Sequence, residues 1–277
     1  MTINASMTAM SPTAMIRSAL ENRSLIYQLA KREVISRYRG SLMGLAWSFF
    51  NPLLMLAVYT FVFSVVFQAR WSADAPPHTG EFAVILFVGV IVHGIFAECI
   101  NRAPGLILGN ASYVKRVVFP LETLPWVALL VALFHAAVSV LVLFLALLLV
   151  RGYIPLTTLY LPLVVLPLVL TTMGAAWLLA ALGVFVRDIG QITGIFTTVL
   201  LFLSPVFYPV SALPENFQRW IYLNPLTFII EQARNVLVWG LPPDLPGIFK
   251  YTLLSTLVAW LGFAFFQKTR RGFADVI

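Results

Sequence analysis

Long apolar runs separated by short polar stretches constrain this chain more than any other feature of its sequence. Six such runs are about 20 residues or longer, enough for a helix to cross the ~30 Å hydrocarbon core of a bilayer. Only 10% of the residues are charged, whereas soluble domains carry about 25%. We therefore predict an all-α membrane protein with six transmembrane helices.

The apolar runs also divide the chain into regions. A flexible N-terminus over residues 1–21 is expected to precede an amphipathic helix over residues 22–39. The rest, residues 40–277, is predicted to be one transmembrane domain. Its predicted spans are residues 42–69, 82–100, 126–150, 159–185, 190–208 and 248–267.

Residues 214–239, between the last two spans, are neither an ordinary loop nor a seventh span. They predict two short helices that are split by Asn224-Pro225, and Glu231 and Arg234 share one face of the second helix. Irregular backbone exists at membrane depth only where protein or water surrounds it. We therefore predict two re-entrant helices that enter the membrane partway and return.

The distribution of Lys and Arg predicts the orientation of the chain. Of the 18 such residues, 13 belong to the N-terminus, the second and fourth loops and the C-terminus. The remaining five, on the opposite side, are Arg70, Arg151, Arg219, Arg234 and Lys250. Cytoplasmic loops carry the excess of Lys and Arg, so we predict that both termini are cytoplasmic.

The helix predicted over residues 22–39 is basic and moderately amphipathic, as expected for a helix at a membrane surface. One face carries Tyr27, Ala30, Val34 and Tyr38. The other carries Arg32, Ser36 and Arg39. This pattern fits a helix that anchors the chain and equally one that contacts a partner.

Two short polar segments are predicted at the cytoplasmic face. The first, residues 110–125 (NASYVKRVVFPLETLP), pairs Lys115 with Arg116 and then breaks at proline. The second, residues 185–191 (FVRDIGQ), is a very tight turn. Two such features at one face suit docking of a separate motor protein, although cations in such loops also contact lipid headgroups.

The sequence contains no grouping that predicts catalysis or metal binding. It has no P-loop motif, so we do not expect this chain to bind ATP through one. His93 and His135 stand alone, as histidines packed within a bundle do. Glu98 and Arg102 have the i, i+4 spacing of a helical ion pair.

Aromatic residues are concentrated in the first and fifth predicted spans. Packing against lipid explains most of them, while any that face a passage could stack against sugar rings. The candidates for such a passage are Tyr59, Phe63, Phe67, Phe196, Phe207 and Tyr208.

Several motifs together resemble a known family, the transmembrane subunits of ATP-binding-cassette exporters for lipid-linked polysaccharides, with relatives in capsule and teichoic acid export. The matching segments are RYRGSLMGLAW (37–47), VKRVVFPLETLP (114–125), VRDIGQ (186–191), SPVFYPVSALP (204–214), LNPL (223–226) and FADVI (273–277). They occur in order along most of the chain.

This resemblance implies a homodimer that binds two copies of a nucleotide-binding ATPase subunit, in which ATP and Mg reside. It implies no cofactor and no nucleic acid for this chain, which is a multi-pass protein of the cytoplasmic (inner) membrane. The implied coupling helices carry Ser112, Tyr113, Val114, Lys115, Arg116, Phe119, Arg187, Asp188 and Gln191.

The resemblance also assigns roles to the other polar segments. Residues 22–39 become an interface helix, and residues 214–239 become outward gate helices that include Asn224, Pro225, Glu231 and Arg234. The cations that could attract a lipid-linked pyrophosphate are Arg23, Lys31, Arg32, Arg37 and Arg39. The positive-inside orientation explains these cations equally well.

Two other functions compete with polysaccharide export. One is ATP-driven export of small hydrophobic compounds, since related permeases also have six spans. The other is a membrane-embedded acyl- or glycosyltransferase. An enzyme of that kind needs a polar constellation near the membrane interface, and the sequence shows none.

Overall fold

The computed structural model describes residues 11–69, 71, 80–114 and 119–277, and in these residues the regular structure is entirely helical. The helices are α1 (Pro12–Glu21), α2 (Arg23–Tyr38), α3 (Trp47–Tyr59), α4 (Glu81–Arg102), α5 (Ala111–Val114), α6 (Leu124–Arg151), α7 (Leu161–Phe185), α8 (Ile189–Leu203), α9 (Glu215–Ile221), α10 (Thr227–Arg234), α11 (Leu245–Thr269) and α12 (Phe273–Val276). Helix α3 continues as π-helix through Thr60–Val66, and α10 through Asn235–Trp239. The prediction of an all-helical membrane chain is confirmed.

Five helical segments of the described chain are long and apolar enough to cross a membrane. They are Gly44–Val66, Glu81–Gly105, Leu121–Arg151, Leu156–Phe185 and Leu245–Val276. Helix α8 is apolar but has only 15 residues, about 22 Å at 1.5 Å per residue. It ends at Leu203, whereas the sequence predicts a span as far as residue 208, because Ser204 is extended ahead of Pro205.

The N-terminal segment is more ordered than the sequence predicts. Residues 12–21 form α1 rather than a loose tail, while residues 1–10 lie outside the described part. The Ser11 side chain accepts a hydrogen bond from the Ala14 backbone N–H at 3.1 Å and so caps this helix. Met15 is buried against the bundle, which gives α1 a packed face.

Helix α4 lies at the centre of the bundle and α3 at its edge. In the most apolar part of each span, 78% of the α4 residues are buried, against 11% for α3. Helix α8 contacts α4 through two polar links. The His93 ring donates to the Thr197 carbonyl at 2.9 Å, and the Thr197 hydroxyl donates to Asn101 Oδ1 at 3.0 Å. His93 is therefore a packed histidine, as the sequence suggests.

Helices α7 and α11 form the closest pair in the bundle. Their backbones approach at Gly174 and Gly262, where there is no space for a Cβ atom, as in other small-residue crossings in membranes. The Thr171 hydroxyl donates to Ser255 Oγ at 2.8 Å in the same interface. The pair is thus held at close range.

Helix α2 packs across α6 with a face that differs from the predicted one. Ile26, Ala30 and Val34 are buried against Val127 and Val131. Tyr27, which the sequence analysis placed on this face, is 63% exposed. The i, i+4 repeat starts one residue earlier than predicted, because the surface of α6 receives the smaller aliphatic side chains.

Candidate functional site

The polar groups of the bundle are concentrated at its two ends. We call one end the terminal face, where α1, Glu122, Phe185 and the C-terminal residues meet. We call the other the distal face, where Glu81, Arg151 and Trp239 meet. Each end holds side chains that the sequence analysis singled out.

The first predicted coupling segment lies at the terminal face. Its described part is ordered by Tyr113 and Phe119, whose rings stack with centroids 4.2 Å apart and an angle of 14° between their planes. Helix α2 reaches this stack, because Arg32 Nη2 donates to the Tyr113 hydroxyl at 3.3 Å. Of the other predicted residues, Ser112 is exposed and Val114 half-buried, and Lys115 and Arg116 lie outside the described residues.

The C-terminal segment supports the end of this loop, a contact that the sequence analysis missed. Arg270 Nη1 contacts Glu122 Oε2 at 2.7 Å, and its Nη2 donates to the Phe119 carbonyl at 3.0 Å. The indole N–H of Trp177 donates to the Glu122 carbonyl at 3.1 Å. Since 148 residues separate Arg270 from Glu122, no local sequence pattern reveals this pair.

The second predicted coupling segment lies at the same face. Arg187, Asp188 and Gln191 are all exposed, and α8 begins directly after Asp188. Phe185, just before the turn, contacts the fully buried Phe273 with ring centroids 6.0 Å apart. The C-terminal residues thus contact both predicted coupling segments.

A cluster of charged side chains joins α2 to the spans, and we call it the ion-pair cluster. Its members are Glu33, Arg37 and Tyr38 of α2, Glu98 and Arg102 of α4, and His135 of α6. Arg102 pairs with Glu33 through Nη2, and Arg37 Nη1 contacts Glu98 Oε1 at 2.7 Å. The predicted Glu98–Arg102 pair is the longest contact, at 4.0 Å.

His135 occupies the middle of the ion-pair cluster, within hydrogen-bond distance of three of its side chains. Its Nδ1 lies 2.9 Å from Glu98 Oε2 and 3.1 Å from Arg37 Nη1, and in the tautomer with the proton on Nδ1 this nitrogen donates to the carboxylate. In the neutral ring, Nε2 then accepts from the Tyr38 hydroxyl at 3.3 Å. Burial raises the pKa of the Tyr38 hydroxyl.

The predicted pyrophosphate ligands fall into separate environments. All five side chains are exposed residues of α2 or its C-terminal end, but Arg37 is committed to the ion-pair cluster and Arg23 lies at the start of the helix. Lys31, Arg32 and Arg39 line a groove of about 550 Å³ between α2 and the residues near Gly44. The residues that line this groove include these three cations and no acidic residue, a composition that attracts anions.

The aromatic candidates likewise divide into two groups. Phe63 and Phe207 belong to a cluster within the chain, since Phe63 stacks on Phe82 at 5.6 Å and on Phe207 at 5.9 Å. Phe67 and Phe196 are 67% and 48% exposed. The half-buried Tyr59 packs against the core, and the Tyr208 hydroxyl donates to the Phe202 carbonyl at 2.9 Å.

Arg234 is the central polar residue of the distal face. It is only 3% exposed, and its acceptors are backbone carbonyls. Its Nε donates to Ile85 O at 3.1 Å and Nη2 to Val206 O at 2.9 Å, while its guanidinium lies 4.3 Å from the Trp71 ring centroid. One side chain thereby links α10, α4 and the residues that follow α8.

The surroundings of Arg234 leave space for its guanidinium within the protein. A Cβ at Gly89 would lie 3.1 Å from Arg234 Nη2, so this glycine makes room for the guanidinium. Glu231, one turn earlier on α10, is half-buried. The predicted shared face of Glu231 and Arg234 therefore points into protein, as expected for charged groups at membrane depth.

The Asn224-Pro225 turn connects the helices around it. Asn224 Nδ2 donates to Ser204 Oγ at 2.8 Å, and its Oδ1 accepts from the Leu226 N–H at 2.9 Å. The Pro225 carbonyl accepts from the Tyr251 hydroxyl at 2.7 Å. The turn thus ties the end of α8 to the start of α10 and to α11.

Arg151 forms a second distal contact that the sequence analysis did not predict. It pairs with Glu81 at the start of α4 and donates to the Val238 carbonyl. Its guanidinium also lies 5.3 Å from the Trp239 ring centroid. The end of α6 is thereby joined to the start of α4 and to the π-helical end of α10.

Comparison with known proteins assigns the chain to a family. The family model described as ABC-2 type transporter matches residues 24–238, which run from α2 to the end of α10. The chain belongs to the ABC-2 type transporter family. Members of this family are transport subunits rather than enzymes, and the ATPase resides in a separate subunit.

Three similar proteins cover between 82% and 95% of the chain. The O-antigen export system permease protein RfbA of Myxococcus xanthus is 28% identical over 266 residues, which are 95% of this chain and 99% of the relative. The polysialic acid transport protein KpsM of Escherichia coli is 24% identical over 91% of this chain and 96% of its own length. The capsule polysaccharide export inner-membrane protein CtrC of Neisseria meningitidis serogroup B is 26% identical over 82% and 84%.

Proposed function

We propose that this chain is the channel-forming permease subunit of an ABC exporter that moves a lipid-linked polysaccharide of O-antigen type across the cytoplasmic (inner) membrane. The observation that carries the proposal is the end-to-end similarity to an O-antigen export permease, 28% identity over 95% of the chain. Relatives named for polysialic acid transport and capsule polysaccharide export cover 91% and 82% of the chain. A polymeric glycan is the cargo common to all three.

In this proposal the terminal face lies in the cytoplasm, as the excess of Lys and Arg there favours. Helix α8, together with residues 204–208, completes a sixth span. Helices α9 and α10 form the outward gate over residues 214–239, with Asn224, Pro225, Glu231 and Arg234 holding it. The burial of Arg234 among backbone carbonyls supports a gate that is enclosed by protein rather than by lipid.

ATP hydrolysis, with its Mg, takes place in two copies of a partner subunit that dock at the cytoplasmic face. The docking surface consists of the two coupling segments, over residues 112–119 and 187–191. Two contacts at the terminal face support this assignment: Arg270 donates to the carbonyl of Phe119 in the first segment, and Phe273 packs against Phe185, directly before the second. A movement of the ATPase then displaces both segments together.

Two copies of this chain enclose the channel. The face of α3 has few partners within the chain, and Phe196 and Phe202 of α8 are exposed, so these two helices supply the surface for the second copy and for the glycan. Aromatic rings offer sugars stacking contacts without strong hydrogen bonds. The groove with Lys31, Arg32 and Arg39 attracts the pyrophosphate that joins lipid to glycan.

Export can be tested in cells that lack this chain. We expect lipid-linked glycan to accumulate at the cytoplasmic face and surface polysaccharide to disappear, and the reintroduced chain to reverse both. A mild-detergent pull-down should recover a P-loop ATPase in equal amount, together with a lipid-linked glycan detected by mass spectrometry. If cells that lack the chain kept their surface polysaccharide but retained small hydrophobic compounds, polysaccharide export would be refuted and export of such compounds favoured.

The docking surface has a test of its own. The double variant Tyr113→Asp with Phe119→Asp should release the ATPase while the spans remain folded, because two charges replace the stacked rings of the first coupling segment. Tyr27→Asp is the matched control, since this equally aromatic side chain is exposed on α2. Full ATPase recovery with the double variant would show that the docking surface lies elsewhere.

A further inference from the structure

Residues 270–277 carry a motif to which the proposed function gives no role. The motif FADVI (273–277) is one of the segments on which the family resemblance rests. In the structure these residues follow α11 as a 3₁₀ turn, Arg270–Gly272, and the four-residue helix α12. A helix of four residues is too short to be stable on its own in water. The position of this segment therefore depends on side chains that bind elsewhere.

Phe273 anchors the segment at the end of α7. Its ring is fully buried, while the three residues after it are exposed. The ring contacts Phe266 with centroids 5.4 Å apart and Phe185 with centroids 6.0 Å apart. A Cβ at Gly272 would lie 3.7 Å from the Phe185 ring, so the backbone also runs beside this ring. The segment is thus packed directly before the second coupling segment.

Arg270 joins the same residues to the first coupling segment. Its Nη2 donates to the Phe119 carbonyl at 3.0 Å, and its Nη1 contacts Glu122 Oε2 at 2.7 Å. Phe119 lies outside the helices, so its carbonyl takes its donor from a distant side chain rather than from a helical N–H. The Phe119 ring stacks on Tyr113. Arg270 therefore fixes one of the two residues that order the described part of the first segment.

The pair Arg270–Glu122 is shielded from water. The Glu122 side chain is 12% exposed and that of Arg270 is 32% exposed. Loss of the cation would leave a largely buried carboxylate with the longer contact to the Ser18 hydroxyl, at 3.3 Å, and a buried charge without its partner is costly. The same change would remove a donor from the Phe119 carbonyl. One side chain thus supplies two contacts that an exposed arginine would not.

A second junction lies on the other side of the first coupling segment. The chain that leads from α4 to this segment begins with the 3₁₀ turn Ala103–Gly105. There is no space for a Cβ at Gly183 of α7, because the backbone of Pro104 lies against it, as at other small-residue crossings. Both ends of the first coupling segment are therefore connected to the end of α7, one by this backbone contact and the other through residues 270–273.

From these contacts we propose that residues 270–277 form a clasp, which holds the two coupling segments of one chain at a fixed spacing as a single docking platform for the ATPase. Arg270 and Phe273 are its positioning residues and act through the two segments. The clasp shares no residue with the ion-pair cluster. This inference rests on the proposed docking of an ATPase, and it adds the element that keeps the docking surface preformed. A preformed surface binds more tightly because it loses less conformational freedom on binding.

The spacing of the two segments can be measured without the ATPase. Spin labels on Ser112→Cys and Arg187→Cys, both at exposed positions, report the distance between the segments by pulsed electron paramagnetic resonance in lipid nanodiscs. The one native cysteine, Cys99, is buried, and dilution with unlabelled chain restricts the signal to distances within one chain. We expect one narrow distribution. Arg270→Met and Phe273→Ala should each widen it about twofold, because a segment that loses buried contacts samples more positions.

Each of these variants has an exposed neighbour as its matched control. Arg271→Met removes an exposed cation beside Arg270, and Val276→Ala shortens a side chain that is 52% exposed. Both controls should keep the narrow distribution. Phe273→Leu retains an apolar side chain and serves where Phe273→Ala prevents folding; it should give an intermediate width.

Affinity for the ATPase tests what the clasp does. Wild type is first titrated with the P-loop ATPase recovered in the pull-down; absence of binding there would refute the proposed function, while the label distances still report on the clasp. Arg270→Met and Phe273→Ala should raise the ATPase concentration for half-maximal binding about tenfold at an unchanged amount of folded chain. Arg271→Met and Val276→Ala should keep the wild-type value. Unchanged distances in Arg270→Met and Phe273→Ala, equal widening in the two controls, or a widened distribution with wild-type affinity would overturn the clasp.

Discussion

The two faces of the bundle hold their charged side chains in different ways. At the terminal face, the cations of the ion-pair cluster meet carboxylates and an imidazole on other helices. At the distal face, Arg234 meets the carbonyls of Ile85 and Val206 and the ring of Trp71. The terminal face therefore joins helices through side chains that have alternative charged partners. The distal face joins them through one side chain that binds backbone carbonyls.

This difference has a mechanical meaning. A carbonyl of the main chain cannot rotate away, so Arg234 holds α10 in one place relative to α4. A carboxylate can exchange one cation for another within about an ångström, as the positions of Glu33 and Glu98 around Arg102 allow. The terminal face is thus built to adjust and the distal face to hold.

The strongest test of the comparison removes the distal cation. Arg234→Met should lower the free energy of unfolding by about 2–4 kcal/mol, because the two carbonyls lose their donor and the contact with Trp71 disappears. Denaturant titration in lipid–detergent micelles measures this loss. Arg219→Met, at an exposed arginine of α9, is the control and should change the free energy of unfolding little. Equal losses in both variants would show that the buried position of Arg234 has no special importance for stability.

A smaller distal effect is expected at Gly89. Gly89→Ala places a Cβ 3.1 Å from Arg234 Nη2 and from the Val206 Cα, which should cost about 1–2 kcal/mol through overpacking. Gly94→Ala on the same helix has open space around it and should not destabilise. A destabilised Gly94→Ala with an unaffected Gly89→Ala would place the tight contact elsewhere on α4.

The effect of salt on stability should differ between variants at the two faces. We expect Glu98→Gln to cost about 1 kcal/mol at low salt and visibly less at about 1 M salt, because partly exposed charges are screened. The cost of Arg234→Met should not change, since that charge is buried. The same micelle titrations at two salt concentrations give both values, and parallel salt dependence would contradict the contrast.

The smallest effect should occur at an exposed pair. Arg17→Ala removes a contact between side chains that are 78% and 58% exposed, so no measurable change in the free energy of unfolding is expected in the same denaturant titration. A loss as large as that of Glu98→Gln would show that α1 contributes to the terminal face through charge, and not only through the buried Met15.

Part of the candidate site could be predicted from local spacing alone. The pair Glu98–Arg102 follows from an i, i+4 interval, and the turn at Asn224-Pro225 follows from the chemistry of proline. The partners Arg37 and His135 could not be predicted, because 61 and 37 residues separate them from Glu98. Those contacts exist only after α2 and α6 have packed against α4.

The packing of α2 shows the same limit at finer scale. Helical periodicity predicts an apolar face, but it does not distinguish Ile26 from Tyr27 at the edge of that face. Contact with Val127 and Val131 selects Ile26. Similarly, the helix propensity of residues 12–21 is unremarkable, and α1 is held by Met15 and by the Ser18 hydrogen bond to Glu122.

By itself, the sequence determined that this is a helical membrane chain, where most spans lie and which short segments interrupt them. Those properties depend on local hydrophobicity and on proline, which act on the residues beside them. The tertiary structure alone decided that Arg37 and Arg102 share the carboxylates of the ion-pair cluster while Arg234 binds backbone carbonyls. The partner of a buried charge depends on which distant helices pack around it.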